Sequence, residues 1–284
     1  MVEHRPVQTF FCHLIIIMGI LAICLPVWLV FVASTHGIED ILRVPMPFWP
    51  GSHFIDNYGV AFSSDIKSLS MSAVPLGTMM FNSLIMALVI AIGKICISII
   101  SAYAIVYFKF PFRMTIFWMI LITLMLPVEV RIIPTYQVVA KLGLLNSYAG
   151  LTIPLIASAT ATFLFRQFFL TVPDELCEAA KIDGAGPLKF FRDILLPLSR
   201  TSIAALFVIL FIYGWVQYLW PLLITTDESY YTILIGIKRM LVTVEEDPAW
   251  NIIMAYVIMA MVPPVLVVVI MQRQFVKGLI ETEK

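Results

Sequence analysis

Few side chains in this sequence are spaced for bond-making chemistry. The four histidines, His4, His13, His36 and His53, form no HExxH set, and hydrolysis inside a membrane needs a paired nucleophile and base or a metal cluster. Cys12, Cys24, Cys96 and Cys177 include no CxxC pair, so neither a disulfide framework nor a metal site is expected. No glycine-rich loop ends in Lys-Ser or Lys-Thr, the arrangement that cradles nucleotide phosphates. The reading is a chain with no catalytic residue and no cofactor of its own.

What it offers instead is charges and an amide set among apolar residues: Lys94, Glu129, Arg131 and Gln217. An ionisable group within a membrane is costly and marks a functional site by default. Lys94 stands alone in an apolar stretch, and its bland reading is a lysine that snorkels or pairs with a neighbouring helix. Glu129 and Arg131 are two apart, so on a helix they point about 200° from each other and need separate partners. A guanidinium bonds phosphate bidentately; Arg131 at the outer edge of its span could do so, while Glu129 would repel the phosphate. A structural ion pair is an equal alternative for Arg131. Gln217 needs a hydrogen-bond partner in hydrocarbon, and Trp220 beside it reads as part of an interfacial aromatic belt.

Membrane helices must hold these groups. Of 284 residues 61% are hydrophobic and 13% charged, and the mean hydropathy is +0.98, whereas soluble domains carry about a quarter charged residues. Lys plus Arg number 18 and Asp plus Glu 18, so no basic footprint points to nucleic acid. Spacing of the charges predicts an all-α integral membrane chain forming one transmembrane domain, 1–284. Its spans are expected at about 10–33, 81–107, 114–133, 147–165, 202–225 and 251–271. The first is read as an uncleaved helix, because its apolar core outruns that of a signal peptide. Pro263 and Pro264 should kink the last. With the N-terminus inside, eleven Lys and Arg fall in inner segments and six in outer ones, which places both termini in the cytoplasm.

The densest charge lies between the fourth and fifth spans, about residues 171–200. Thr171 followed by acidic Asp174, Glu175 and Glu178, with Lys181 after them, reads as a helix start and its favourable dipole. Asp183-Gly184 stops that helix, Gly186-Pro187 opens a second, and Pro197 ends it. Small Ala179 and Ala180 permit close approach, and Leu176 and Ile182 add apolar contact, as on a docking knob. An amphipathic loop resting on the lipid interface is the alternative; a DNA-reading helix-turn-helix is nearly excluded by tethering to two spans.

In this loop Glu178-Ala179-Ala180, then Gly184, Ile194 and Leu196-Pro197 resemble, at the usual spacing, the EAA loop of bacterial ABC-importer permeases. The resemblance runs nearly the full chain and is to the maltose-type group that includes sn-glycerol 3-phosphate permeases. It is carried by 117–120, 124–132, 147–152 and 159–169, by Tyr213-Gly214-Trp215 and 217–223, and in the tail by 271–273, 275–276 and 278–279. It implies the six-helix permease fold and a coupling helix, seated on an ATPase subunit by Glu178, Ala179, Ala180, Asp183, Gly184, Ile194, Leu196 and Pro197. It further implies a second permease subunit, a pair of ATPase subunits, a periplasmic or extracytoplasmic solute-binding protein and the bacterial inner membrane. The implied cargo is glycerol 3-phosphate and related glycerophosphodiesters; another sugar or polyol is the alternative within the group, and a non-transport membrane scaffold outside it. Arg131, Gln217, Glu129 and Lys94 are then the candidates for the substrate pathway, with the second permease as the alternative neighbour of Arg131 and Gln217.

Overall fold

The computed structural model describes residues 6–63, 74–241 and 248–281 of the chain, and among these all regular structure is helical. In chain order the helices are α1 (Pro6–Ser34), α2 (Ile38–Ile41), α3 (Phe54–Phe62), α4 (Leu76–Tyr107), α5 (Arg113–Ile122), α6 (Val128–Lys141), α7 (Tyr148–Thr152) and α8 (Ala159–Leu170). They continue with α9 (Asp174–Ile182), α10 (Pro187–Phe190), α11 (Leu196–Leu198), α12 (Arg200–Trp215), α13 (Leu219–Ile224), α14 (Ile233–Met240) and α15 (Trp250–Glu281). Three are long and apolar enough to cross a membrane by themselves: α1, α4 and α15. Tyr148–Leu155 with Ala159–Leu170, bent by 48°, and Pro187–Leu198 with Arg200–Trp215, bent by 70°, bring the number to five if each pair is one crossing. The ten-residue α5 is a further apolar helix, too short to cross by itself.

Three stretches expected as single spans are broken, one of them 147–165, which is interrupted at 156–158 ahead of α8. Residues 114–133 divide into α5 and α6, because Pro127 lacks an amide donor and drives Leu126 to an extended φ of −84° and ψ of 113°. Residues 202–225 divide at 216–218 into α12 and α13. By contrast α15 runs through Pro263 and Pro264 without a break.

The chain falls into two compact units. In the first, Met1–Gly77 with Gly236–Met261, α1 leaves its apolar surface outward: 6% of its most apolar window is buried, at a mean hydropathy of 2.9. The segment after it is pinned by polar contacts. Trp28 Nε1 donates to the Phe48 carbonyl at 3.0 Å. Asn57 Nδ2 donates to the carbonyls of Ser34 and His36, both at 2.9 Å, and its Oδ1 accepts from Asn251.

The second unit, Thr78–Ile235 with Val262–Lys284, is built around α4. Half of the most apolar window of that helix is buried at a similar hydropathy, 2.5. A Cβ on Gly214 of α12 would lie 2.8 Å from the Ala87 Cα of α4, so the two backbones meet where only a glycine fits. Trp220, expected in an aromatic belt, is instead 3% exposed within a core of Met86, Ile90, Ile132, Val139, Leu151 and Ile224. Its indole donates to the Gly150 carbonyl at 3.1 Å, which supplies the partner a buried indole requires. Fully buried Asn82 donates to the Ser229 and Tyr231 carbonyls and accepts from Tyr148 Oη. Outside the apolar core, Asp227 accepts from the backbone and hydroxyl of Ser229, bonds that hold its carboxyl below the usual carboxylate range.

Candidate functional site

The loop between α8 and α12 folds as helix, turn and helix. Its start differs from expectation in detail. Thr171 closes α8, its hydroxyl donating to the Phe168 carbonyl, and Pro173 precedes the first turn of α9, where a missing amide costs nothing. Asp174 and Glu175 sit in that first turn and Lys181 in the last, each at the favourable end of the dipole. The helix ends in a Schellman motif: Ala185 N donates to the Ala180 carbonyl at 2.8 Å and Gly184 N to that of Lys181 at 3.1 Å. Gly184 has φ +71° and nothing within 4 Å of a would-be Cβ. Glycine is required there for its backbone conformation and not for space.

The turn presents apolar surface outward. Ile182 is 86% and Leu188 79% exposed on either side of Gly184, and Glu178, Ala179 and Asp183 are exposed as well. Ala180 is buried. Past α10 the chain takes a π-helical stretch, Phe191–Leu195, of the kind found as local bulges at functional positions. Leu195 and Phe190 turn inward, Ile194 and Leu196 are half-buried, and Pro197 is exposed. Ser199 ends the loop; its buried hydroxyl donates to the Leu195 carbonyl at 2.6 Å, a back-bond that accompanies bends, here the 70° turn into α12.

Residues absent from the expected set anchor this loop to α4. Tyr103 Oη donates to the Pro187 carbonyl at 2.8 Å, and its ring lies 4.9 Å from that of Phe191. Tyr107 packs against Phe190 at 5.3 Å and Phe169 at 6.1 Å. Two tyrosines four apart lie on one helix face; that spacing, at the end of a span, was the available signal.

The intramembrane polar residues separate. Lys94, 7% exposed near the middle of α4, holds Nζ 3.7 Å above the ring centroid of Tyr213. It lines a cavity of about 520 Å³ together with Arg131. Arg131 is thus brought to the same cavity as Lys94, Ile97 and Ser101 of α4. The other polar lining comes from Ser101, Thr123, Ser158, Thr160, Thr162 and Tyr213. Gln217 is not in that lining: its Nε2 donates to the Tyr213 carbonyl at 3.1 Å, satisfying an acceptor that the end of α12 would otherwise orphan. The Glu129 side chain lies outside the described residues.

With this geometry in view, residues 94–281 match the family described as binding-protein-dependent transport system inner membrane component. The chain is 59% identical over 284 residues, the whole of both chains, to the sn-glycerol-3-phosphate transport system permease protein UgpE of Agrobacterium fabrum. It is 57% and 54% identical, again over both full lengths, to the proteins of that name from Rhizobium meliloti and Salmonella typhi. Its fold is similar to that of a chain from a bacterial ABC transporter involved in the import of the acidic polysaccharide alginate. The TM-score is 0.80 over 97% of this chain and 99% of that one, at 19% identity.

Proposed function

The chain belongs to the family of binding-protein-dependent transport system inner membrane components, non-catalytic permeases whose ATP is hydrolysed elsewhere, and from that premise we propose that it carries sn-glycerol 3-phosphate and related glycerophosphodiesters across the membrane. The observation that carries the substrate is full-length identity of 59% to a relative named for that transport. Such an importer works with an ATPase and a solute-binding protein. In our reading it also pairs with a second permease, engages two ATPase subunits, and keeps both termini in the cytoplasm of a bacterium, in its inner membrane. The exposed Ile182 and Leu188 around the Gly184 turn support docking on the ATPase, since desolvating such side chains is favourable only against an apolar groove. The Tyr103 and Tyr107 contacts would then pass a displacement of the loop to α4.

The test is reconstitution of the complete importer in proteoliposomes with its binding protein. ATP hydrolysis and uptake should rise with glycerol 3-phosphate. Stimulation by a neutral sugar or polyol and none by glycerol 3-phosphate or a glycerophosphodiester would overturn the substrate.

A further inference from the structure

The cavity lies where membrane segments are interrupted. The break at Leu126-Pro127 ahead of α6 and the break at Ala157-Ser158 ahead of α8 both line it, and Lys94, Ile97 and Ser101 line it from one face of α4. Irregular backbone at membrane depth persists where it borders a polar cavity. Helix starts carry partial positive charge and unpaired amides. In α8, Ser158 Oγ accepts from Ala161 N and its carbonyl from Thr162 N, which leaves the amides of Ala159 and Thr160, both in the lining, without intrahelical partners.

Two cations and two helix starts therefore surround one space, and among the described lining residues there is no carboxylate. Lys94 is nearly wholly buried, and an exposed second cation, Arg131, on the same cavity adds repulsion to the cost of desolvating it. The Tyr213 ring steadies the ammonium but does not neutralise it. The hydroxyls are complementary in a second way. Ser101 and Thr123 donate their protons to the Ile97 and Ile120 carbonyls, at 2.7 and 2.6 Å, so their oxygens remain as acceptors for a ligand's hydroxyls.

We propose that this cavity is a resting site for the phosphate of the translocating substrate, which lodges between the Lys94 ammonium, the Arg131 guanidinium and the first turn of α8 while its glycerol hydroxyls donate toward Ser101 and Thr123. The proposal rests on the reading of this chain as a glycerol 3-phosphate permease. It predicts discrimination by charge: a phosphate monoester, which bears close to two negative charges near neutral pH, depends on the two cations more than a diester, which bears one.

The experiment measures uptake by the complete reconstituted importer carrying Lys94→Met, Lys94→Arg or Arg131→Gln, with glycerol 3-phosphate and a neutral-headgroup glycerophosphodiester supplied at saturation to the same binding protein. Lys94→Met is expected to lower the maximal rate for the monoester at least ten-fold and for the diester at most three-fold, with subunits still co-purifying, and Lys94→Arg to restore a third or more of the monoester rate. An equal loss for both substrates, or parental monoester uptake, would overturn the proposal while leaving the transport function standing. A parental importer inactive on both phosphates would instead overturn the function. Should the Lys94→Met complex fail to assemble, Arg131→Gln decides, because that side chain is exposed: the same monoester-selective loss supports the site, and an unchanged ratio removes it.

Discussion

The loop between α8 and α12 and the Lys94 cavity belong to the same unit and are assembled in opposite ways. The loop draws its turn, its caps and its exposed apolar pair from positions 174 to 199, and its Schellman bonds join residues three and five apart. The cavity gathers side chains from five segments between positions 94 and 213, none of which defines a site alone. A turn closed by its own backbone bonds keeps its shape without help from distant segments, so local geometry suffices for it. A polar cavity in an apolar medium has to be enclosed from several sides, and only packing does that.

Disrupting the loop should have the larger and simpler effects. Replacing both Ile182 and Leu188 by Asp removes exposed apolar contact and leaves the interior of the chain untouched, so the permease should fold while ATPase co-purification is lost. A complex that still co-purifies at parental yield would mean that these side chains face lipid. Gly184→Val forces a β-branched residue to φ +71°, where even an unbranched one costs about 1–2 kcal/mol. Transport should fall at least ten-fold with membrane helices intact. Gly184→Asn, in open space and tolerant of that conformation, should stay within about three-fold of parental transport; equal damage by the two variants would show that size, not backbone, decides.

Smaller effects probe the links between regions. Tyr103→Phe deletes the hydroxyl bonded to the Pro187 carbonyl, a bond worth about 1 kcal/mol net. Transport should drop two- to five-fold through weaker coupling, with the monoester-to-diester ratio unchanged. A shifted ratio would instead tie the tyrosine to the cavity. Gln217→Leu orphans the Tyr213 carbonyl at a cost of about 1–3 kcal/mol, visible as a lower melting temperature of the complex; substrate preference should not move, since the amide lies outside the cavity lining.

The same contrast explains what was legible beforehand. The Glu178-Ala179-Ala180 to Leu196-Pro197 spacing is a local pattern, and the helix, the left-handed Gly184 and the second short helix follow from propensity and capping. The misreadings are equally physical. Trp220, an aromatic near the end of an apolar run, reads as interfacial; the carbonyl that receives its indole belongs to Gly150, seventy positions away. Apolar runs also fail to register breaks. Residues 114–133 are apolar enough for one span, and Pro127, which divides them, is compatible with either a kink or a stop until neighbours satisfy the freed backbone groups.

Composition and charge spacing by themselves determined that this chain is a helical membrane protein, which of its segments are apolar enough to lie there, and that its densest motif sits in one loop, because each of these depends on residues adjacent in sequence. Tertiary structure alone decided that α1 lies outward while α4, of similar hydropathy, is half-buried, that Lys94 and Arg131 share a cavity, and that Gln217 caps its own helix. The reason is that an apolar side chain is content against lipid or protein alike, so hydrophobicity places a helix in the membrane without choosing its neighbours. That choice falls to shape and to the few polar groups that must find partners, as at Gly214 against Ala87 and Asn82 with Tyr231.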